Sequence, residues 1–174
     1  LLENRKLDAQ TMSKLVMEEL NLQEVTIATQ TYPRKLDLLL MQVLTSIAQS
    51  LHKFCFDLRI MQSPNFAEWS EPRNEKRIGS SAMPFKRNPD KAEKICSLAR
   101  YISSFESIAW SNAAMSLFER TLDDSANRRI FIPESFLACD EILSKTNELV
   151  SGLVIFEGNI KRNLQKYGPF AGTE

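Results

Sequence analysis

The stretch PRKLDLLLMQVLTSIAQSLHKFCFDLRIMQ, Pro33 to Gln62, decides the fold. Leu40, Leu44, Ile47, Leu51, Phe54, Leu58 and Met61 alternate spacings of four and three, the heptad seam of a helix packed lengthwise against other helices. Pro33 is suited to open that helix. At about 1.5 Å per residue it is roughly 45 Å long, well beyond the average globular helix. Leu38, Leu39, Val43 and Phe56 lie off the seam, so more than one face needs covering. In so short a chain, partner subunits are the expected cover.

The same period recurs on both sides. Ile95, Leu98, Ile102, Phe105 and Ala109 form a second seam, and Ile142, Thr146, Leu149, Leu153 and Phe156 form a third on a helix expected after Pro133. Leu7 to Leu20 reads as a shorter amphipathic helix, while Gly168, Pro169 and the residues after them read as a linker. Only 5 glycines punctuate 174 residues. These observations predict an all-α fold, a long-helix bundle with crossing angles near 20°. The interruption runs from Ser63 to Pro89, where Phe66 and Trp69 are expected to anchor a loop on the bundle.

Composition narrows the function classes. Zero formal charge and a pI near 6.8 leave no electrostatic footprint for nucleic acid. A single His with scattered Cys55, Cys96 and Cys139 has no zinc spacing, and three unpaired-looking cysteines suit a reducing compartment. No apolar run approaches the roughly 18 residues needed to span a bilayer, and no signal peptide is visible, so a cytoplasmic location is expected. The termini, Leu-Leu-Glu and Gly-Thr-Glu, read as those of a piece of a longer chain.

Two segments carry candidate chemistry. GSSAMPFKRNP, Gly79 to Pro89, ends in Asn88, a good N-cap, and Pro89, suited to the first helical position. The helix start then faces Ser80, Ser81, Lys86 and Arg87, an arrangement that binds anions, although a stiffened surface loop has the same composition. From Pro72 to Lys94 there are seven Lys or Arg against three Asp or Glu. In ERTLDDSANRR, Glu119 to Arg129, Asp124 or Ser125 is expected to cap a helix with Arg128 and Arg129 in its first turn. The helix dipole disfavours cations there, so either an anionic ligand or pairing with Glu119, Asp123 and Asp124 accounts for them. His52 and the thiols sit at helical positions consistent with packing.

GSSAMPFKRNP resembles the signature loop of the fumarase and aspartase superfamily, whose members eliminate fumarate from succinyl compounds. With ERTLDDSANRR and QTYPRKLD, Gln30 to Asp37, the chain resembles the adenylosuccinate lyase branch rather than fumarases or argininosuccinate lyases. The resemblance implies that residues 1–168 form the central helical domain and 169–174 begin the carboxyl-terminal domain, with the amino-terminal domain absent from this chain. It implies a homotetramer with active sites shared between subunits. The implied substrates are small nucleotides, adenylosuccinate and the related succinyl-carboxamide ribotide, and no metal or organic cofactor is implied.

Position by position, the resemblance makes Ser80 the general base, with Lys86 and Asn88 binding the succinyl part. Gln30 and Lys94 match substrate-binding positions, although Lys94 stands where animal members carry arginine, and lysine keeps the charge but loses the bidentate fork. Arg120, Ser125 and Arg129 match nucleotide contacts at or near the phosphate. The family's general acid and a second active-site histidine precede the matched region, and His52 corresponds to neither, so these 174 residues alone are expected to be inert. A sister fumarate-releasing lyase, such as argininosuccinate lyase, and a non-catalytic oligomerisation scaffold are the alternatives.

Overall fold

The computed structural model describes residues 8–27, 29–72, 87–118 and 120–168. Three long elements carry the core. Helix α2 (Lys35–Met61) and helix α5 (Asp123–Ser151) each pack against α3 (Asp90–Ser104) and against each other, and α4 (Glu106–Ala114) closes on α2 and α5. The short helices α1 (Ala9–Glu19) and α6 (Glu157–Tyr167) bury no residue. Strand β1 (Trp69–Ser70) pairs antiparallel with β2 (Val154–Ile155), tying the chain after α2 to the chain after α5.

The long helix forms where its heptads require it, but its buried line keeps Leu44 and Leu58 of the expected seam and shifts by one residue from Leu40, Ile47 and Phe54 to Met41, Ala48 and Cys55. Met41, Leu44, Ala48, Cys55 and Leu58 are buried, whereas Leu40, Ile47, Phe54 and Met61 are only half-buried. The reason is steric. Small side chains let helix axes approach closely, and the buried line carries Ala48 and Cys55 while bulkier neighbours are half-buried beside them. Ala92, Cys96 and Ala99 do the same on α3, where the Cys96 thiol also donates to the His52 carbonyl at 3.7 Å. Burial pushes the Cys55 thiol up to about 12, so it behaves as a packing group.

Four boundaries depart from expectation. Helix α3 starts at Asp90 with Pro89 in the cap position, so Asn88 is not the N-cap. The second seam is broken at Phe105, where α3 ends and α4 begins. Helix α5 begins ten residues before Pro133 and passes through it: the proline is exposed, and Phe131 and Ser135, buried on either side, anchor the helix across the missing N–H. Leu153 and Phe156 lie beyond the end of α5.

The interrupting loop docks through Trp69, half-buried against the core, while the exposed Phe66 is held by its backbone carbonyl, which accepts from Asn163 at 3.0 Å. At the end of α5, a Cβ added to Gly152 would lie 2.6 Å from the Pro72 side chain, so this close approach requires glycine. Leu36, Leu39, Val43, Phe136, Leu137 and Leu143 remain exposed on α2 and α5. Among the described residues, no helix is long and apolar enough to cross a membrane.

Candidate functional site

The amino ends of α2 and α5 meet. Arg34 precedes α2 and is 8% exposed; its Nε donates to Oδ2 of Asp124, itself 5% exposed in the first turn of α5. One turn later Arg128 pairs with Asp37, bonding Oδ1 through its terminal nitrogen at 3.2 Å and Oδ2 through Nε, and also donates to the Tyr32 hydroxyl. That hydroxyl donates to Asp37 Oδ1 at 2.7 Å. Both arginines lie over the Tyr32 ring, the Arg34 guanidinium carbon 5.1 Å and that of Arg128 5.4 Å from its centroid. Hydrogen bonding to Asp37 holds the Arg128 guanidinium above its ordinary value, and burial, reinforced by Asp37, raises the Tyr32 phenol.

For Arg128 this network replaces the local pairing with Asp123 or Asp124, while Glu119 lies outside the described residues. Arg128 binds a carboxylate 91 positions away, and Asp123 accepts from Thr121 instead. Nor does Arg128 or Arg129 lie in the first turn, because α5 starts at Asp123 behind Leu122, and neither Asp124 nor Ser125 is its cap. The dipole conflict inferred for those cations is therefore relieved by position, and acidic Asp123 and Asp124 occupy the first turn.

Beside the network lies a cleft of about 220 Å³, with Thr29, Thr31, Arg34, Lys35, Arg120 and Thr121 in its wall. The Arg120 Nε and the Asp124 Oδ1 are both buried with no hydrogen-bond partner among the described residues. Gln30, exposed, sits between the two threonines of the wall. Ser125 is half-buried and Arg129 exposed; four residues apart on α5, they share one helix face. At the mouth, Phe118 is fully exposed with φ +46°, a left-handed conformation that a bulky residue rarely adopts.

The other predicted residues lie elsewhere. Asn88 and Lys94 are exposed at the start of α3, which runs antiparallel to α2 and α5: Arg59 pairs with Glu93 at 3.7 Å, Lys91 with Glu148 at 3.1 Å, and Lys94 with Glu141. The 27 residues of α2 separate the two groups by about 40 Å. One chain therefore brings Arg120, Ser125 and the Gln30 segment to one end and Asn88 with Lys94 to the other. Ser80 and Lys86 lie outside the described residues. Sequence reading missed Arg34, Asp37 and Asp124 as a unit because their partners are distant in the chain. The signal available was the presence of arginine and aspartate in both QTYPRKLD and ERTLDDSANRR.

Residues 4–103 match the model of the family described as Lyase. The chain is 43% identical over 145 residues to the adenylosuccinate lyase of Schistosoma mansoni and 45% identical over 145 residues to that of Saccharomyces cerevisiae, covering 83% of this chain and 30% of each relative. It is 41% identical over 153 residues to that of Pyrococcus abyssi, covering 88% and 34%. It thus spans about a third of the length of the curated relatives it matches. Its fold is shared with a fumarate lyase from Mesorhizobium (TM-score 0.75, 22% identity, 98% of this chain and 39% of that one). A 3-carboxy-cis,cis-muconate lactonizing enzyme from Pseudomonas putida shares it too (TM-score 0.74, 24%, 90% and 35%).

Proposed function

The chain belongs to the lyase family, and from that premise we propose that the natural gene product carrying it releases fumarate from adenylosuccinate and from the related succinyl-carboxamide ribotide. The observation that carries the reading is the cleft. Arginines, a lysine, hydroxyls and the start of α5 converge beside Arg120, which the resemblance expects at the nucleotide phosphate; its other expected contacts, Ser125 and Arg129, lie on α5 outside the cleft wall. An unsatisfied buried guanidinium nitrogen is a donor waiting for an acceptor.

In this proposal Ser80 takes the proton beside a succinyl carboxylate as the bond to nitrogen breaks, and Lys86, Asn88 and Lys94 hold the succinyl part. A serine hydroxyl is a poor base at its unperturbed pKa, so the nearby cations in the sequence must stabilise its alkoxide. Gln30 contacts substrate. The separation of the two residue groups supports a site completed by different subunits of a homotetramer, and the exposed apolar faces of α2 and α5 are available for that assembly. The general acid comes from residues outside these 174, which alone are inert, and the enzyme works in the cytoplasm.

Fumarate release tests the proposal. The natural gene product should turn over adenylosuccinate and leave argininosuccinate untouched, and Ser80→Ala should lower the rate about 10²–10⁴-fold. Turnover of argininosuccinate instead would move the assignment to a sister lyase. A folded oligomer silent on both would leave a scaffold role.

A further inference from the structure

We propose that Arg34, to which the resemblance assigns no role, binds the substrate's phosphate directly, its guanidinium fixed for the task by Asp124 and Tyr32. The inference rests on reading the cleft as the phosphate site and names a further residue in it.

Unequal use of donors separates the two buried-network arginines. Arg128 spends two nitrogens on Asp37 and Tyr32, a closed structural arrangement, although its side chain is 20% exposed. Arg34, at 8%, is more deeply buried, yet only its Nε is used. Among the described residues none accepts from its two terminal nitrogens, and the side chain lines the cleft. A guanidinium has five N–H donors in a rigid fork; unlike the buried Arg120 Nε, the Arg34 terminal nitrogens are not sealed in the interior, so they are open to a ligand in the cleft. A purely structural Arg–Asp pair favours two parallel bonds. Here the carboxylate takes one edge through a single oxygen and leaves its Oδ1 unpartnered as well.

Charge and size agree on the ligand. Arg34, Lys35 and Arg120 against Asp124 give the cleft wall a net charge of +2, which a phosphomonoester at −1.5 to −2 neutralises. At about 220 Å³ the cleft falls below the roughly 300–1,000 Å³ of a complete ligand pocket, a size for a phosphate and adjoining sugar rather than a whole nucleotide. The unpartnered Asp124 Oδ1 suits a ligand that also donates, as a sugar hydroxyl or a protonated phosphate oxygen does.

The test uses the natural gene product with Arg34→Gln, Arg34→Lys and the charge-balanced pair Arg34→Gln with Asp124→Asn, which keeps the buried site neutral if the single variant fails to fold. Two ratios are read: kcat/KM for adenylosuccinate over its 5′-dephosphorylated nucleoside, and affinity for AMP over adenosine. We expect both ratios to fall about 10- to 100-fold in the glutamine variants, mainly through KM, with lysine intermediate. Unchanged ratios in a folded double variant would overturn the proposal, as would equal losses with and without the phosphate. If the wild type released no fumarate, the functional reading would fail separately. Stabilisation of the wild type by inorganic phosphate, lost in the double variant, would still support Arg34, and its absence or persistence in both would refute it.

Discussion

Glu71 caps helix α3 from twenty residues upstream: its carboxylate accepts the backbone N–H of Lys91 at 3.2 Å and of Ala92 at 2.6 Å. Those are the second and third positions of the helix, the donors that a side-chain cap normally satisfies. The helix end that the sequence offers as an anion site therefore already holds an internal anion at two of its donors.

Glu71→Ala should destabilise the natural gene product by about 0.5–2 kcal/mol, the cost of a lost cap, in chemical denaturation at neutral pH. Glu71→Gln keeps an acceptor and should cost less. The pH dependence has a definite sign. Burial raises the Glu71 carboxyl above its ordinary 4.5, so in the window above 4.5 the folded state holds a proton that the unfolded state has lost. The associated stability is fully present below 4.5 and is lost as pH rises through the folded value. Stability curves of wild type and Glu71→Gln should diverge in that sense across mildly acidic pH; parallel curves would refute the assignment.

At the opposite end, Asp37 is 3% exposed and its charge is matched by Arg128. Arg128→Met should leave a buried carboxylate unpaired and cost about 3–5 kcal/mol. Tyr32→Phe removes one hydroxyl from the same network and should cost about 0.5–1.5 kcal/mol. A double variant that also carries Asp37→Asn should recover part of the Arg128→Met loss, which denaturation of the three proteins measures.

The displaced buried line on α2 predicts a register. Ala48→Leu, at a fully packed contact, should cost about 1–3 kcal/mol by overpacking, and Met41→Ala about 2–5 kcal/mol by leaving a cavity. Half-buried Ile47→Ala should cost less than Met41→Ala unless assembly covers it. Comparing denaturation of dissociated and assembled protein separates those cases.

These particulars mark what sequence reading reaches. Periodicity is local, so the long helices and the all-helical bundle were readable from spacing alone. Contact is not local. Ala48, Cys55 and Ala99 are buried in the core, yet a reading weighted by side-chain bulk favours Leu40 and Ile47. The two ends of the Arg34–Asp124 pair lie 90 positions apart, so their motifs read as separate sites until the fold joined them. Residue type alone marks Asn88 as a cap, whereas the capping carboxylate, Glu71, arrives from the preceding loop.

The proposed fumarate-releasing site must be assembled from different subunits if Asn88 and Lys94, which one chain holds about 40 Å from Arg120 and Ser125, serve the same substrate. The most direct measurement is fumarate release from adenylosuccinate after Ser80→Ala and Arg120→Ala forms of the natural gene product are co-refolded, beside each alone and the wild type. The account predicts a wild type that turns over, two inactive parents, and a mixture that regains activity through sites receiving an intact Ser80 and an intact Arg120 from different chains. A mixture as silent as its parents, with mixed oligomers formed and the wild type active, would contradict it.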